Sequence, residues 1–274
     1  MRAALYNGKK SIEMTELPTP EAGENDIVVK NIYASICGTD VAVYEHGPGT
    51  GHRITVGSEF GHEMVSEVFQ VGKNVKNIKV GDRVYPYPRL AKGDPKRAGT
   101  TGIAAAIALK YFGCHKVMIC DHSDFRLNKA KELGFEICNN GKEELKAKSK
   151  QVFGCAMSAL GETCDVDIYI DAAGADGIIE NYQSMGKINS RMVVVAVKAG
   201  LRPIDVLAMT YGQHAIIGSG GYFPEDVWDV MAIMKSRKWD IESIITDVYP
   251  WEQLPQAIEK ASRVDEALNV VIQY

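Results

Sequence analysis

The 274-residue sequence predicts an α/β protein in two parts, a β-rich part followed by a parallel sheet covered by helices. The first 90 residues hold short apolar runs separated by Gly, Pro, Asn and Asp, which is typical of strands in a small antiparallel barrel or sandwich. From about residue 101, continuous Val- and Ile-rich strands alternate with helix-length segments, which is typical of a parallel sheet buried on both faces. The tail returns to mixed structure.

In the first part, strands are predicted at residues 27–29, 32–34, 64–71 and 83–85. In the second part, helices are predicted at 102–112 and 125–133, and strands at 116–120, 166–170, 192–197 and 215–218. The tail is predicted to hold helices at 225–235 and 252–262 and a strand at 268–272.

Composition and charge exclude several functional classes. A formal net charge of -4 argues against a nucleic-acid partner, and the Lys-rich stretch 142–150 is interrupted by Glu143 and Glu144, as on a solvated helix face. No apolar segment is long enough to cross a bilayer and the N-terminus has no apolar h-region, so we expect a cytoplasmic protein without a membrane partner. Six scattered cysteines without a CxxC pair indicate reduced thiols.

Three short motifs in the first part carry chemistry: residues 37–40 (CGTD), 61–63 (GHE) and 81–84 (GDRV). Thiolate, imidazole and carboxylate are suitable zinc ligands, and a catalytic zinc uses three protein ligands and one open position. Each motif alone is weak, because a lone buried Cys is usually structural and a His-Glu pair is common at surfaces. Their combination predicts a zinc site.

The motifs resemble the zinc-binding, GroES-like half of the medium-chain alcohol dehydrogenases, and ICGTDVAVYEHG is most similar to the polyol (sorbitol, L-iditol) branch, near the threonine and butanediol dehydrogenases. The resemblance implies Cys37 and His62 as zinc ligands, with Glu63 as a third ligand or one that exchanges with water. It implies that Asp40 orients the His62 ring and that Thr39 is catalytic, passing the proton of the alcohol toward the cofactor ribose.

Many relatives have a histidine two residues after the aspartate, and this histidine continues the proton relay. This sequence has Ala42 at that position. Water, His46 or His52 could replace that histidine, and neither residue is assigned.

A dinucleotide site needs a buried strand, a glycine-rich turn that opens a helix, and an acidic residue about 20 positions further on. Gly99 and Gly102 fit the turn, and Asp121 lies 19 residues beyond Gly102, where a carboxylate favours NAD over NADP. The first glycine position holds Arg97, so the glycine pattern is incomplete.

The strand that should precede this turn is absent from the sequence. Residues 86–97 read PYPRLAKGDPKR, and three prolines with four basic residues cannot form the central strand of a parallel sheet. We therefore expect a Rossmann-type domain that lacks its first central strand, through an internal deletion near residues 97–102 that fuses two AGT segments. The expected domains are a GroES-like catalytic domain (1–95 with 222–274) and an incomplete NAD-binding domain (96–221).

The resemblance implies a zinc- and NAD-dependent oxidoreductase that takes hydride from a secondary alcohol or sorbitol-like polyol, with a threonine or butanediol substrate as the alternative within the class. A second hypothesis is a non-catalytic deletion remnant that retains zinc but not NAD. A zinc-free reductase is disfavoured by the intact Cys37, His62 and Glu63. The resemblance also implies a homo-oligomer whose subunits contact each other through the sheets of their cofactor domains. These are the sheets expected to lack the first central strand.

Overall fold

The computed structural model describes residues 1–49, 54–86, 101–196 and 200–274, and the chain divides into two compact units. The first unit is Met1–Pro95 with Ile245–Arg263 and Ala267–Tyr274, and the second is Lys96–Ile244 with Val264–Glu266. The second unit therefore extends past residue 222, the start of the predicted return to the first domain.

The first unit begins with antiparallel pairs of strands. Strand β1 pairs with β2, and a long strand β3 pairs with β4, which pairs with β5. The two strands predicted at 27–29 and 32–34 form one strand. The polar residues between them, Lys30 and Asn31, also pair with β4, and the register shifts on either side of them. The bounds are β1 Arg2–Tyr6, β2 Ile12–Glu16, β3 Ile27–Ser35, helix α1 Gly38–His46, β4 Met64–Val71 and β5 Arg83–Val84.

The second unit alternates helices with short parallel strands, as the sequence predicted, and contains one antiparallel hairpin that was not predicted. Its elements are α2 Thr101–Tyr111, β6 Met118–Asp121, α3 Asp124–Glu132, β7 Glu136–Asn139, α4 Leu145–Phe153, β8 Cys155–Ser158, β9 Gly161–Cys164, β10 Ile168–Asp171, α5 Ile178–Met185, β11 Arg191–Val194, α6 Val206–Gly212, β12 Ala215–Gly218 and α7 Pro224–Ser236, followed by a 3₁₀ turn, Ile241–Ile244. Within the described ranges, none of the helices is long and apolar enough to cross a membrane.

In the described residues, the parallel strands of the second unit form two separate sheets. Strand β6 pairs with β7, and β10, β11 and β12 form a separate three-stranded sheet. In the doubly wound order 3-2-1-4-5-6, these pieces correspond to strands 3-2 and 4-5-6, and strand 1 would lie between them. No strand in the described part of the chain joins β6 to β10. Residues 86–97, where the sequence lacks the first central strand, lie almost entirely outside the described ranges, so the loss of this strand stays a prediction.

The chain then returns to the first unit through β13 Ile245–Pro250, a 3₁₀ turn Trp251–Gln253, α8 Leu254–Ala261 and β14 Asn269–Gln273. Strand β14 lies between β13 and β3, which gives a five-stranded sheet in the order β13-β14-β3-β4-β5. Helix α8 packs its buried face, including Ala257 and Ile258, against β14 and α1. This core holds the start of α1 in place, and the candidate site lies at that start.

Candidate metal centre

Three zinc-type donor groups meet beside the start of α1. One donor atom each from Cys37, His62 and Glu63 lies within 4.8 Å of the others. Cys37 follows β3, whereas His62 and Glu63 precede β4, and the antiparallel pairing of these strands brings their adjoining ends together. The backbone N–H of Ser35 donates to the Glu63 carbonyl at 2.9 Å, which ties the two segments at the site. Residues 25 positions apart in sequence thus form one cluster.

The donor set fits a zinc ion. Thiolate, imidazole and carboxylate bind zinc at about 2.0–2.3 Å, so the ligand atoms of a tetrahedral site lie about 3.5 Å apart. The 4.8 Å limit of this cluster is wider, so the donor atoms would have to move closer together to hold the ion. Cys37 is buried and His62 and Glu63 are half-buried, so the cluster is partly accessible from solvent.

Asp40 uses its two oxygens for two different purposes. Oδ2 accepts a hydrogen bond from the Cys37 backbone N–H at 2.9 Å, which caps the first turn of α1. Oδ1 lies 3.2 Å from Nδ1 of His62 and, within the described residues, has no hydrogen-bond partner beyond this contact. A buried carboxylate against Nδ1 favours the tautomer that leaves Nε2 free for a metal, which is the arrangement expected for a zinc-binding histidine.

The backbone before His62 requires glycine. Gly61 has a φ of 97°, a left-handed conformation that a residue with a Cβ adopts only with strain. An added Cβ would meet no atom within 4 Å, so the requirement comes from the backbone rather than from crowding. This turn directs the His62 ring back toward α1.

Thr39 lies beside the same imidazole. Its side chain is fully buried, and its Oγ1 is 3.5 Å from Nε2 of His62. A buried hydroxyl next to the metal-facing nitrogen can accept and pass on a proton at this position. The catalytic role of Thr39 remains a prediction.

The site stabilises a positive charge on the imidazole. Burial lowers the pKa of His62, but hydrogen bonds to Asp40 and Cys37 outweigh burial and raise this pKa to about 11. Zinc binds neutral imidazole and thiolate, so metal uptake must displace protons from this cluster. The charge balance therefore favours a divalent cation, which would replace the proton between the same groups.

Ser35, which the sequence did not single out, lies beside Glu63. Burial raises the pKa of the Glu63 carboxyl, while the His62 charge and hydrogen bonds with Cys37 and Ser35 act in the opposite direction. The Ser35 hydroxyl has a single proton, and Oδ1 of Asn269, 3.3 Å away, competes with Glu63 for it. Ser35 lies two residues before Cys37 on β3, and this strand spacing is the only signal that could have identified it.

The predicted cofactor residues lie in the second unit. Asp121 ends β6, and its Oδ1 accepts a hydrogen bond from the Ser123 backbone N–H at 2.9 Å. Gly102 is in the first turn of α2, and a Cβ there would lie 3.9 Å from the Ala172 side chain. Gly99 falls outside the described residues.

A second carboxylate marks the same edge of the other sheet piece. Asp171 ends β10, is buried, and accepts hydrogen bonds on Oδ1 from the backbone N–H groups of Ala173 (3.0 Å) and Gly174 (2.7 Å). The carboxyl ends of β6 and β10, where ligands bind in open α/β sheets, thus both end in an aspartate.

The substitution Asp40→Asn should weaken zinc binding by about 10–100-fold. The introduced amide could still cap α1, but its NH₂ group facing Nδ1 of His62 would favour the tautomer that places a proton on Nε2, where the metal should bind. The measurement is competition for zinc against a chelator of known affinity.

The matched control is Glu45→Gln, which removes a carboxylate from the same helix and breaks the Lys10–Glu45 ion pair. Equal zinc affinities of the two variants and the unaltered chain would contradict the role of Asp40.

Comparison with known proteins assigns both units. Residues 100–236 match the family described as zinc-binding dehydrogenase, and residues 23–127 match the alcohol dehydrogenase GroES-like domain. An L-threonine 3-dehydrogenase of Yersinia pestis (strain Pestoides F) is 24% identical, with 97% of each chain covered. That alignment extends over 339 residues, more than the 274 of this chain, so part of the relative has no counterpart here.

Solved structures share the fold. A 2R,3R-butanediol dehydrogenase from Bacillus subtilis has a TM-score of 0.82 at 19% identity, covering 100% of this chain and 99% of that one. A short chain alcohol dehydrogenase from Escherichia coli CFT073, complexed with NADH, has a TM-score of 0.81 at 18% identity over 100% and 99% of the two chains. With the two domain matches and the clustered zinc donors, these similarities show that the chain belongs to the zinc-containing medium-chain alcohol dehydrogenase family, whose members are oxidoreductases.

Proposed function

We propose that the protein transfers hydride from a secondary alcohol to NAD, with zinc held by Cys37, His62 and Glu63. The observation that carries the proposal is the meeting of these three donor groups within 4.8 Å in a half-buried site. Zinc bound there would lower the pKa of a coordinated hydroxyl group, and NAD would accept the hydride.

The protein side chains have separate roles in this proposal. Asp40 holds the His62 ring so that Nε2 points to the metal, and it also fixes the start of the helix that carries Thr39. Thr39, buried and 3.5 Å from Nε2 of His62, would take the proton that the alcohol loses. Ala42 cannot continue the relay, so in this proposal the proton leaves Thr39 through water.

The substrate class is a small alcohol with its hydroxyl on a secondary carbon. The similar proteins include a threonine dehydrogenase and a butanediol dehydrogenase, and the sequence motifs resemble those of the sorbitol branch. All three named substrates carry a secondary hydroxyl with a polar group on the neighbouring carbon. We propose this shared vicinal arrangement as the recognised feature.

NAD is the proposed cofactor. Asp121 ends β6 at the position where a carboxylate accepts hydrogen bonds from ribose hydroxyls and repels a 2′-phosphate. The similar structure from Escherichia coli holds NADH. A cytoplasmic location and a homo-oligomeric state are part of the same proposal.

The second candidate function is a zinc-binding protein without dehydrogenase activity. The separation of β6 from β10 in the described residues supports it, because the dinucleotide binds where the strand order of a doubly wound sheet reverses. This candidate keeps the metal site, all of whose predicted ligands belong to the first unit.

Three measurements on the purified chain separate the two candidates: zinc content, NADH titration by fluorescence, and NAD reduction with L-threonine, 2R,3R-butanediol and sorbitol. Zinc, NADH binding and turnover together support the dehydrogenase. Zinc without NADH binding supports the second candidate, and a folded chain without zinc would contradict both. Turnover with ethanol exceeding that with all three vicinal substrates would overturn the proposed substrate class.

A further inference from the structure

Two cysteines face each other across a short hairpin in the second unit. Strands β8 and β9 pair antiparallel, and Cys155 is the direct partner of Cys164. The two-residue turn between Ser158 and Gly161 is fixed by the Ser158 hydroxyl, which donates to the Gly161 carbonyl (2.9 Å) and accepts from the Leu160 backbone N–H (3.1 Å). This local turn sets the register of the cysteine pair.

The pairing type brings the two cysteines close. The backbone N–H of Asp165 donates to the carbonyl of Gly154 at 2.9 Å, so the pair next to the cysteines is hydrogen-bonded. Paired residues alternate between hydrogen-bonded and non-hydrogen-bonded sites, which makes Cys155 and Cys164 a non-hydrogen-bonded pair with Cα atoms about 4.5 Å apart. Disulfides span Cα separations of about 4.4–6.8 Å, so the backbone permits a bond.

The two thiols differ in accessibility. Cys155 is exposed, whereas Cys164 is fully buried, with Sγ 3.4 Å from the Tyr169 hydroxyl and 3.7 Å from the Met185 carbonyl. An external reagent can therefore reach Cys155 first. Cys164 can follow only from inside the protein, by rotating its thiol away from these two oxygens.

Charged groups surround the pair. The pKa of Lys150 is raised first by its hydrogen bond to Glu162, 2.7 Å away, and further by the neighbouring Cys155 and Cys164. Glu162 also forms a hydrogen bond with Cys155. The cysteine pair therefore lies beside the Lys150–Glu162 ion pair.

We propose that Cys155 and Cys164 form a cross-strand dithiol site that a small-molecule disulfide oxidises to an intramolecular disulfide. The Cys155 thiolate attacks one sulfur of the reagent, forming a mixed disulfide and releasing one reagent thiol. The Cys164 thiolate then attacks the Cys155 sulfur and releases the second reagent thiol. The protein loses two hydrogens and two electrons, and the reagent disulfide gains them.

A second cross-strand pair provides an internal comparison. Cys120 and Cys138 are direct partners on the parallel strands β6 and β7. Burial raises the pKa of the Cys138 thiol, which disfavours the thiolate that exchange needs. These strands also belong to the split sheet, whereas the β8–β9 register is fixed by its own turn. The hairpin pair should therefore oxidise first.

The test treats the zinc-loaded, folded chain with glutathione disulfide, alkylates the remaining thiols and maps disulfides by mass spectrometry. A Cys155–Cys164 cross-link is expected in the unaltered chain and in Cys120→Ser, and its loss is expected in Cys155→Ser. In Cys164→Ser, a glutathione adduct should accumulate on Cys155. The hydroxyl introduced by Cys164→Ser can still form hydrogen bonds with the two buried oxygens. If Cys164→Ser does not fold, the Cys155→Ser variant alone tests the proposal.

Two results would overturn the proposal: a Cys120–Cys138 cross-link that forms before the hairpin cross-link, or Cys155 that carries glutathione in the unaltered chain without ever cross-linking. A cross-link that forms equally fast in urea would also contradict it, because the folded register would then have no role. None of these outcomes depends on dehydrogenase activity.

Discussion

Cys37→Ser is expected to yield a folded protein that no longer retains zinc. Removal of a residue that only contacts a ligand weakens metal binding by about 10–100-fold. The loss of zinc affinity here should be larger, because a direct ligand is removed. Serine is a good N-cap residue and Cys37 caps α1, so the helix should keep its start or gain stability. The variant therefore separates metal binding from folding. Zinc content after dialysis and the thermal unfolding midpoint are the two measurements.

Cys138→Ser is the matched control for this experiment. It removes a fully buried thiol from the second unit and should leave the zinc content unchanged. If Cys37→Ser retained zinc as tightly as Cys138→Ser, the cluster of Cys37, His62 and Glu63 would not be the metal site.

Restoring a central strand is expected to produce the largest gain in NAD binding. The design replaces residues 87–100 with the corresponding, longer segment of the Yersinia pestis L-threonine 3-dehydrogenase. In the described residues, β6 pairs only with β7 and β10 only with β11, so each has an edge that lacks a strand partner. Each buried backbone group without a partner costs about 1–3 kcal/mol, and a strand that pairs with both edges would remove several such costs.

The expected result is tighter NADH binding together with a higher and sharper thermal transition of the second unit. The control carries an insert of equal length made of Gly and Ser, which adds chain without an apolar strand. NADH affinity of the unaltered chain equal to that of the grafted chain would show that the split sheet does not limit cofactor binding. Equal gains from both inserts would show that length, rather than strand pairing, was missing.

Much of the second unit could be predicted from sequence because its signals are local. The apolar runs at 166–170, 192–197 and 215–218 were predicted as parallel strands between helical segments, and the structure has strands at Ile168–Asp171, Arg191–Val194 and Ala215–Gly218. The loss of the first central strand, expected because prolines and basic residues replace the apolar run at 86–97, stays a prediction, since most of this segment lies outside the described residues. The hairpin of β8 and β9 was not predicted, because its strands are four residues long and contain few β-branched residues.

The residues proposed as metal ligands could be predicted from the sequence, but the residues that support them could not. Family motifs identified Cys37, His62 and Glu63, and the structure places them together. Helix α1 was not predicted, because a cysteine N-cap is not a usual helix start. Ser35 was missed since its contact with Glu63 depends on the pairing of β3 with β4, which no local pattern specifies.

The double use of Asp40 links helix fraying to metal release. One oxygen starts α1 and the other aims the His62 ring, so unwinding a single turn would misdirect a ligand and uncap a helix at once. Bound metal would, in return, resist that unwinding, because any ligand that binds only the folded turn stabilises it. A zinc-sensitive dye would then detect zinc release when the first turn of α1 unwinds, before the core packed against α8 unfolds.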